Sequence, residues 1–272
     1  MKLKKQFSLT EKKLGTSQIR TGWWGHQPGQ HAVGGVLTAH NQLLKILILI
    51  TGIFCISSCG HHEKVRNIFH YNEQSGIATL DPAFAKNQSI MWAVHQIYNT
   101  LVQIDNNLNL VPSLAKSWDI SSDNLTFTFH LRTDVFFQDN PAFPNGKGRK
   151  MTAQDVVYSF ERILDPETAS SGAWIFNGRV DTIQPFKAID DTTFQLKLLK
   201  PFHPILGVMS MQYCSIIPRE VVEKYGKDFR SHPCGSGPFE FVAWEEDQAL
   251  VLKKNQHYFE KDSTGARLPY ID

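Results

Sequence analysis

The chain alternates most clearly between residues 125 and 132. Leu125, Phe127, Phe129 and Leu131 fall on one side, and Thr126, Thr128, His130 and Arg132 on the other, the period of a half-buried strand. Trp118 and Ile120 alternate in the same way and predict a strand over 116–120. Ser121-Ser-Asp-Asn124 between the two runs is turn chemistry, so the stretch predicts a β-hairpin. Upstream, 67–71 is a strand candidate. The spacing of Met91, Val94, Ile97, Tyr98 and Leu101 predicts a helix over 90–101, followed by a short strand over 102–105. Downstream, Thr152-Ala-Gln-Asp155 is close to a capping box with Asp in place of Glu. It opens a helix whose inner face is Val156, Val157, Phe160, Ile163 and Leu164, and Asp165-Pro166 stops it. Residues 183–189 and 193–199 predict strands joined at Asp190-Asp191. Pro218 at a favoured first turn and Gly226 at the end bound a helix over 219–225. Residues 239–244 and 249–253 predict a last hairpin.

The first 66 residues read differently. Leu43-Leu-Lys45 leads into the apolar run 46–56, then Ser57-Ser-Cys59. The run is too short to span a membrane, and its order of lysine, apolar run and small residues is that of a signal peptide over 43–58. Ile56-Ser-Ser-Cys59 has the form of a lipobox, which makes Cys59 the lipidated first residue of the mature protein. The competing reading is a core helix followed by a loop. Residues 1–42, basic then glycine-rich and without periodicity, are expected to be a non-native or disordered extension. Residues 59–66 form a polar tether, whose His61, His62 and Glu63 are adjacent and present no converging metal site.

Composition narrows the classes. Of 272 residues, 42% are hydrophobic and 20% charged, which is ordinary for a globular chain. A net charge of +2 is too small to imply nucleic acid. The four cysteines, Cys55, Cys59, Cys214 and Cys234, have no zinc spacing. Cys214 and Cys234 flank the 219–225 helix and stand either as a disulfide or as two buried thiols. The sequence has no phosphate-binding glycine loop, and Gly235-Ser-Gly237 lacks the spacing of a nucleophile elbow. A turn that needs positive φ is the expected role of those glycines. The histidines are scattered. No metal and no cofactor are expected.

The wording of several stretches goes further. Leu110-Val-Pro-Ser-Leu-Ala-Lys-Ser-Trp118 through Thr126-Phe-Thr-Phe-His-Leu-Arg132, then Val135-Phe-Phe137, then Thr152-Ala-Gln-Asp-Val-Val-Tyr-Ser-Phe-Glu-Arg162, occur in a fixed order. Leu80-Asp-Pro82 precedes them; Pro233-Cys-Gly-Ser-Gly-Pro-Phe239, Asn255-Gln-His-Tyr-Phe259 and Leu268-Pro-Tyr-Ile-Asp272 follow. Over 67–272 this resembles the family 5 extracytoplasmic solute-binding proteins, the oligopeptide- and dipeptide-binding subunits of ABC importers. The resemblance implies a type II periplasmic-binding-protein fold, α/β with mixed sheets and a ligand cleft between two lobes. Residues 67–98 and 201–272 would form an incomplete first lobe and 99–200 an inserted smaller domain, so the sequence would be an N-terminal portion of the family's architecture. It further implies a lipid-anchored, extracytoplasmic monomer. That monomer captures short peptides, partly as an added strand, closes by a hinge and delivers them to permease and ATPase subunits without bond-making chemistry. A lipid-anchored hydrolase and a structural surface lipoprotein are the alternatives. A hydrolase needs a nucleophile–base pair or a metal cluster, and none is visible.

By the same resemblance Ala85, Lys86, Asn87 and Gln88 match the family's ligand-contacting strand. Some members carry an acid there, and this sequence has Lys86. Trp174 lies in a loop of small residues without periodicity, where an aromatic often serves binding, although an ordinary core tryptophan is the competing reading. Phe176 and Trp92 are placed near the cleft with it. The lipobox is directly testable: Cys59→Ala is expected to release the protein from membranes and to abolish its labelling by radioactive palmitate, and a mutant that still takes up the label refutes the assignment.

Overall fold

The computed structural model describes residues 67–272; the readings made of 1–42, 43–58, 59–66 and Cys59 lie outside the described residues. The elements in order are helix α1 (Gln88–Ile97), β1 (Val102–Ile104), β2 (Leu110–Pro112), β3 (Ala115–Ile120), β4 (Thr126–Leu131) and α2 (Ala153–Leu164). There follow β5 (Phe186–Asp190), β6 (Thr193–Lys197), α3 (Ile205–Met209), α4 (Arg219–Tyr225), β7 (Phe239–Glu245) and β8 (Ala249–Lys254). None of the described helices is long and apolar enough to cross a membrane.

The predicted hairpin is the centre of a four-stranded sheet in the order β3-β4-β6-β5. Phe127, Phe129 and Leu131 are buried on one face of β4, and the residues between them are half-exposed. Phe129 sits opposite Trp118 of β3 and Phe194 of β6. Helix α2 covers this face. Phe160 on its inner side meets Phe176, Phe186 and Phe194 with ring centroids 5.1–5.5 Å apart, in tilted and edge-on arrangements that aromatic quadrupoles favour. The hydrophobic cluster is continuous from Leu80 through this aromatic group to Tyr258 and Phe259. Every named strand pair is antiparallel: two hairpins, β3–β4 and β5–β6, are joined edge to edge by β4–β6, and β1–β2 and β7–β8 stand as separate pairs. The expectation of mixed sheets is therefore not met among the described strands.

Other departures have local causes. Residues 67–71 form no strand; the backbone of Asn67 instead bonds to Asp272, with Asp272 N donating to Asn67 O at 3.0 Å. Helix α1 starts two residues earlier than the apolar spacing indicates, because Asn87 Oδ1 accepts from Ile90 N at 3.1 Å and caps it. It ends at Ile97, whose carbonyl is taken by Gly237 N at 2.8 Å while Tyr98 turns extended. That contact also corrects the reading of the glycine turn. Gly235 and Gly237 do not have positive φ. A Cβ on Gly235 would lie 2.2 Å from Ile97 O, and one on Gly237 would lie 2.4 Å from Ile97 C, so close backbone approach is what requires glycine. Pro218 is the N-cap of α4 rather than part of its first turn, and Gly226 closes the helix at φ +51°.

Phe127 and Phe129 are 4% and 0% exposed. Either one changed to Ala is expected to cost about 3–5 kcal/mol in chemical denaturation. A loss below about 1 kcal/mol would show that this face carries little of the core.

Candidate functional site

The segment that enters helix α1 is fixed at its base by a buried ion pair. Asp81 receives a two-pronged bond from Arg162 of α2, Nη1 to Oδ1 at 2.9 Å and Nη2 to Oδ2 at 2.6 Å, with side-chain exposures of 5% and 13%. Burial disfavours the Arg162 charge, and the Asp81 carboxylate outweighs that penalty, so the guanidinium pKa rises. Asp81 Oδ1 also accepts from Ala83 N at 3.0 Å and caps the 3-10 turn Pro82–Phe84. Helix α2 is itself pinned. Thr152 N donates to Asp155 Oδ2 at 2.8 Å, the return half of the predicted capping box. Arg149 grips Asp155 with both terminal nitrogens at 2.6–2.8 Å and reaches Glu220 of α4 with Nε at 2.5 Å. Ser159 Oγ accepts from Ile217 N at 3.0 Å. The polar residues of the Thr152–Arg162 motif thus work as fasteners.

Beyond Ala85 the chain opens onto a groove of about 350 Å³, lined by Lys86, Asn87, Gln88, Met91, Trp92, His95 and Gln212. Trp92 is 46% exposed and its ring lies 5.2 Å from that of Tyr71, tilted at 58°. Gln212 Nε2 lies 3.3 Å from His95 Nδ1, which ties the 3-10 turn Gln212–Cys214 to α1. The lining offers one aromatic plate, one cation, amide donors and acceptors, and no carboxylate. That set suits holding an amide-rich ligand. Of the residues expected here from sequence, Lys86, Asn87, Gln88 and Trp92 line the groove together. Ala85 is 0% exposed and lies below it. Met91, His95 and Gln212 were not foreseen. Met91 counts toward the periodic apolar face of α1, and the signal for Gln212 was a polar residue breaking the apolar run 209–217.

The loop carrying Trp174 packs beside this segment. Ser170 Oγ donates to Ala83 O at 2.6 Å, and Gly172 lies so close to Tyr213 that a Cβ there would approach its ring to 2.6 Å. Trp174 is 46% exposed on the 3-10 turn Ala173–Ile175, so it is not a core tryptophan. Phe176 is 0% exposed, packed on Phe160 and Phe186, and the structure corrects its placement at the cleft: it is part of the core under α2. Cys214 and Cys234 are free thiols at 0% and 1% exposure, and burial pushes both thiol pKa values well up.

Comparison with known proteins supplies relatives. The profile of the bacterial extracellular solute-binding proteins, family 5 Middle, matches residues 109–272. The heme-binding protein A of Haemophilus influenzae is 34% identical over 177 residues, covering 60% of this chain and 32% of that protein. The dipeptide-binding protein of Escherichia coli is 31% identical over 176 residues, covering 60% and 32%. Among solved structures, the periplasmic binding protein DppA from Helicobacter pylori in complex with the peptide STSA superposes with a TM-score of 0.61 at 32% identity, covering 68% of this chain and 38% of that one. The substrate-binding domain of an oligopeptide ABC transporter from Bacillus anthracis gives a TM-score of 0.65 at 25% identity, covering 72% and 39%. These neighbours share the type II periplasmic-binding fold. The chain spans about a third of the length of these curated relatives.

Asp81→Asn leaves Arg162 buried without its counter-charge. It is expected to destabilise the protein by about 3–5 kcal/mol, and Arg162→Met placed on top of it to recover part of that loss. Additive losses in the double-mutant cycle would show that the two side chains are not coupled.

Proposed function

The chain belongs to the bacterial extracellular solute-binding proteins of family 5, and on that premise we propose that it takes part in extracytoplasmic capture of short peptides and their delivery to an ABC-type permease. The observation that carries the reading is the groove itself: an exposed tryptophan beside a lysine and amide side chains, on a segment held rigid by the Asp81–Arg162 pair. An extended peptide presents backbone donors and acceptors that such amides satisfy, and apolar side chains that lie on an aromatic plate. Relatives whose names specify dipeptides and di- or tripeptides, and a neighbour solved with a bound peptide, support that ligand class over the heme and nickel–histidine of other relatives.

In this reading 67–98 with 201–272 belongs to one lobe and 99–200 to a smaller inserted domain, and the protein works as a monomer that closes on its ligand by a hinge. Cys59 carries a lipid that holds it at a bacterial membrane, beside the permease and ATPase subunits it serves. Ala85–Gln88 and Trp174 face the ligand, and Lys86 in place of an acid disfavours a basic side chain at that position. No bond is made or broken.

The test is a calorimetric titration of the purified chain with tripeptides, with a disaccharide and with nickel–histidine. Saturable heat with tripeptides, reduced by Trp92→Ala, is the expected result. A response to the sugar or the nickel complex but not to peptides refutes the peptide reading.

A further inference from the structure

We propose that Arg179, held between the rings of Trp174 and Phe202, is an anion-recognition point that takes the terminal carboxylate of a short peptide. The proposal deepens the peptide-binding reading above and rests on it. The guanidinium carbon lies 4.8 Å from the centroid of Phe202 and 6.0 Å from that of Trp174. Its Nη1 donates to the carbonyl oxygens of Trp174 and, at 3.4 Å, of Ile175, which fixes the plane of the fork. Nε and Nη2 make no hydrogen bond to any described residue, so a parallel pair of donors faces outward beside an exposed tryptophan. A carboxylate matches that pair geometrically.

Arg179 is unusual in this chain. Arg132, Arg149, Arg162, Arg219 and Arg230 each hold a carboxylate. Arg179 pairs with none among the described residues. The acid next to it in sequence, Asp181, is already committed: Oδ1 accepts from Ile183 N and Gln184 N at 2.9 Å each, and Oδ2 meets Lys197 Nζ at 3.2 Å. Leu199 N donates to Arg179 O at 2.8 Å, which brings the segment of Lys200 and His203 alongside and makes the surroundings basic. The loop is tied to the groove segment through Ser170 and Ala83, so the anion point and the groove belong to one face. Two flat rings around the cation strip water from it and strengthen the charge-assisted bond.

The experiment compares trialanine with trialanine amide, titrated into the full chain. Trialanine is expected to bind at least about tenfold more tightly, the worth of a charge-assisted pair. Arg179→Gln should level the two affinities, and Arg179→Lys should restore only part of the preference because a point charge replaces the fork. Equal affinities in the unmutated chain, which need no variant to measure, overturn the proposal while leaving the peptide reading intact. So does a preference that survives in a folded Arg179→Gln, checked by its unfolding midpoint. Binding of neither ligand overturns both.

Discussion

The Asp81–Arg162 pair is the constraint on which the rest of the candidate site depends. It joins the first landmark of the chain, Leu80-Asp-Pro82, to the last residue of the α2 motif, two stretches that are far apart in sequence. Such a pair adds little net stability over a well-packed apolar contact, because two charges leave water to form it. Its value lies in position. A forked guanidinium on a carboxylate has one good geometry, so the 3-10 turn that Asp81 caps, and the Lys86–Gln88 segment beyond it, are oriented by α2 rather than left to a loop's own preferences. The orientation passes onward through Arg149, Asp155 and Glu220 to α4, and through Ser159 to Ile217.

A second constraint is the contact between the glycine turn and the end of α1. Gly235 and Gly237 let two backbones meet where any side chain would collide. Buried amides line that meeting: Gln138 Nε2 donates to Phe239 O at 2.7 Å, and Asn255 Nδ2 to Gly237 O at 2.8 Å. Helix α1 is thereby stopped at Ile97 and its groove-lining face is held in rotation as well as in length.

What could be read from the sequence follows from how far each signal reaches along the chain. The β3–β4 hairpin, the α2 capping box and the Gly226 stop are set by neighbours within a few residues, and each formed where the pattern placed it. Phe176 misled because a loop aromatic looks the same whether it points out or in; only the arrival of Phe160 and Phe186 from distant elements decides it. Trp174, two residues earlier, lies outside that cluster and stays exposed. Gln212 and His95 meet only after folding, and no spacing connects them. The glycine turn was recognised as one, yet its cause was a close approach that local sequence does not record.

The edge-to-edge joining of the two hairpins sets a timetable. Each hairpin closes through its own turn, a step of about 1–10 μs for such elements. The β4–β6 ladder, with Phe129 opposite Phe194, must wait until the whole intervening stretch, including α2 and the Trp174 loop, has been drawn in. That late closure gives the domain a high contact order, and for an interval two phenylalanine-rich faces stand half-made and open to one another's copies. During synthesis or export, the dangerous species is therefore the chain whose hairpins are complete and whose central ladder is not.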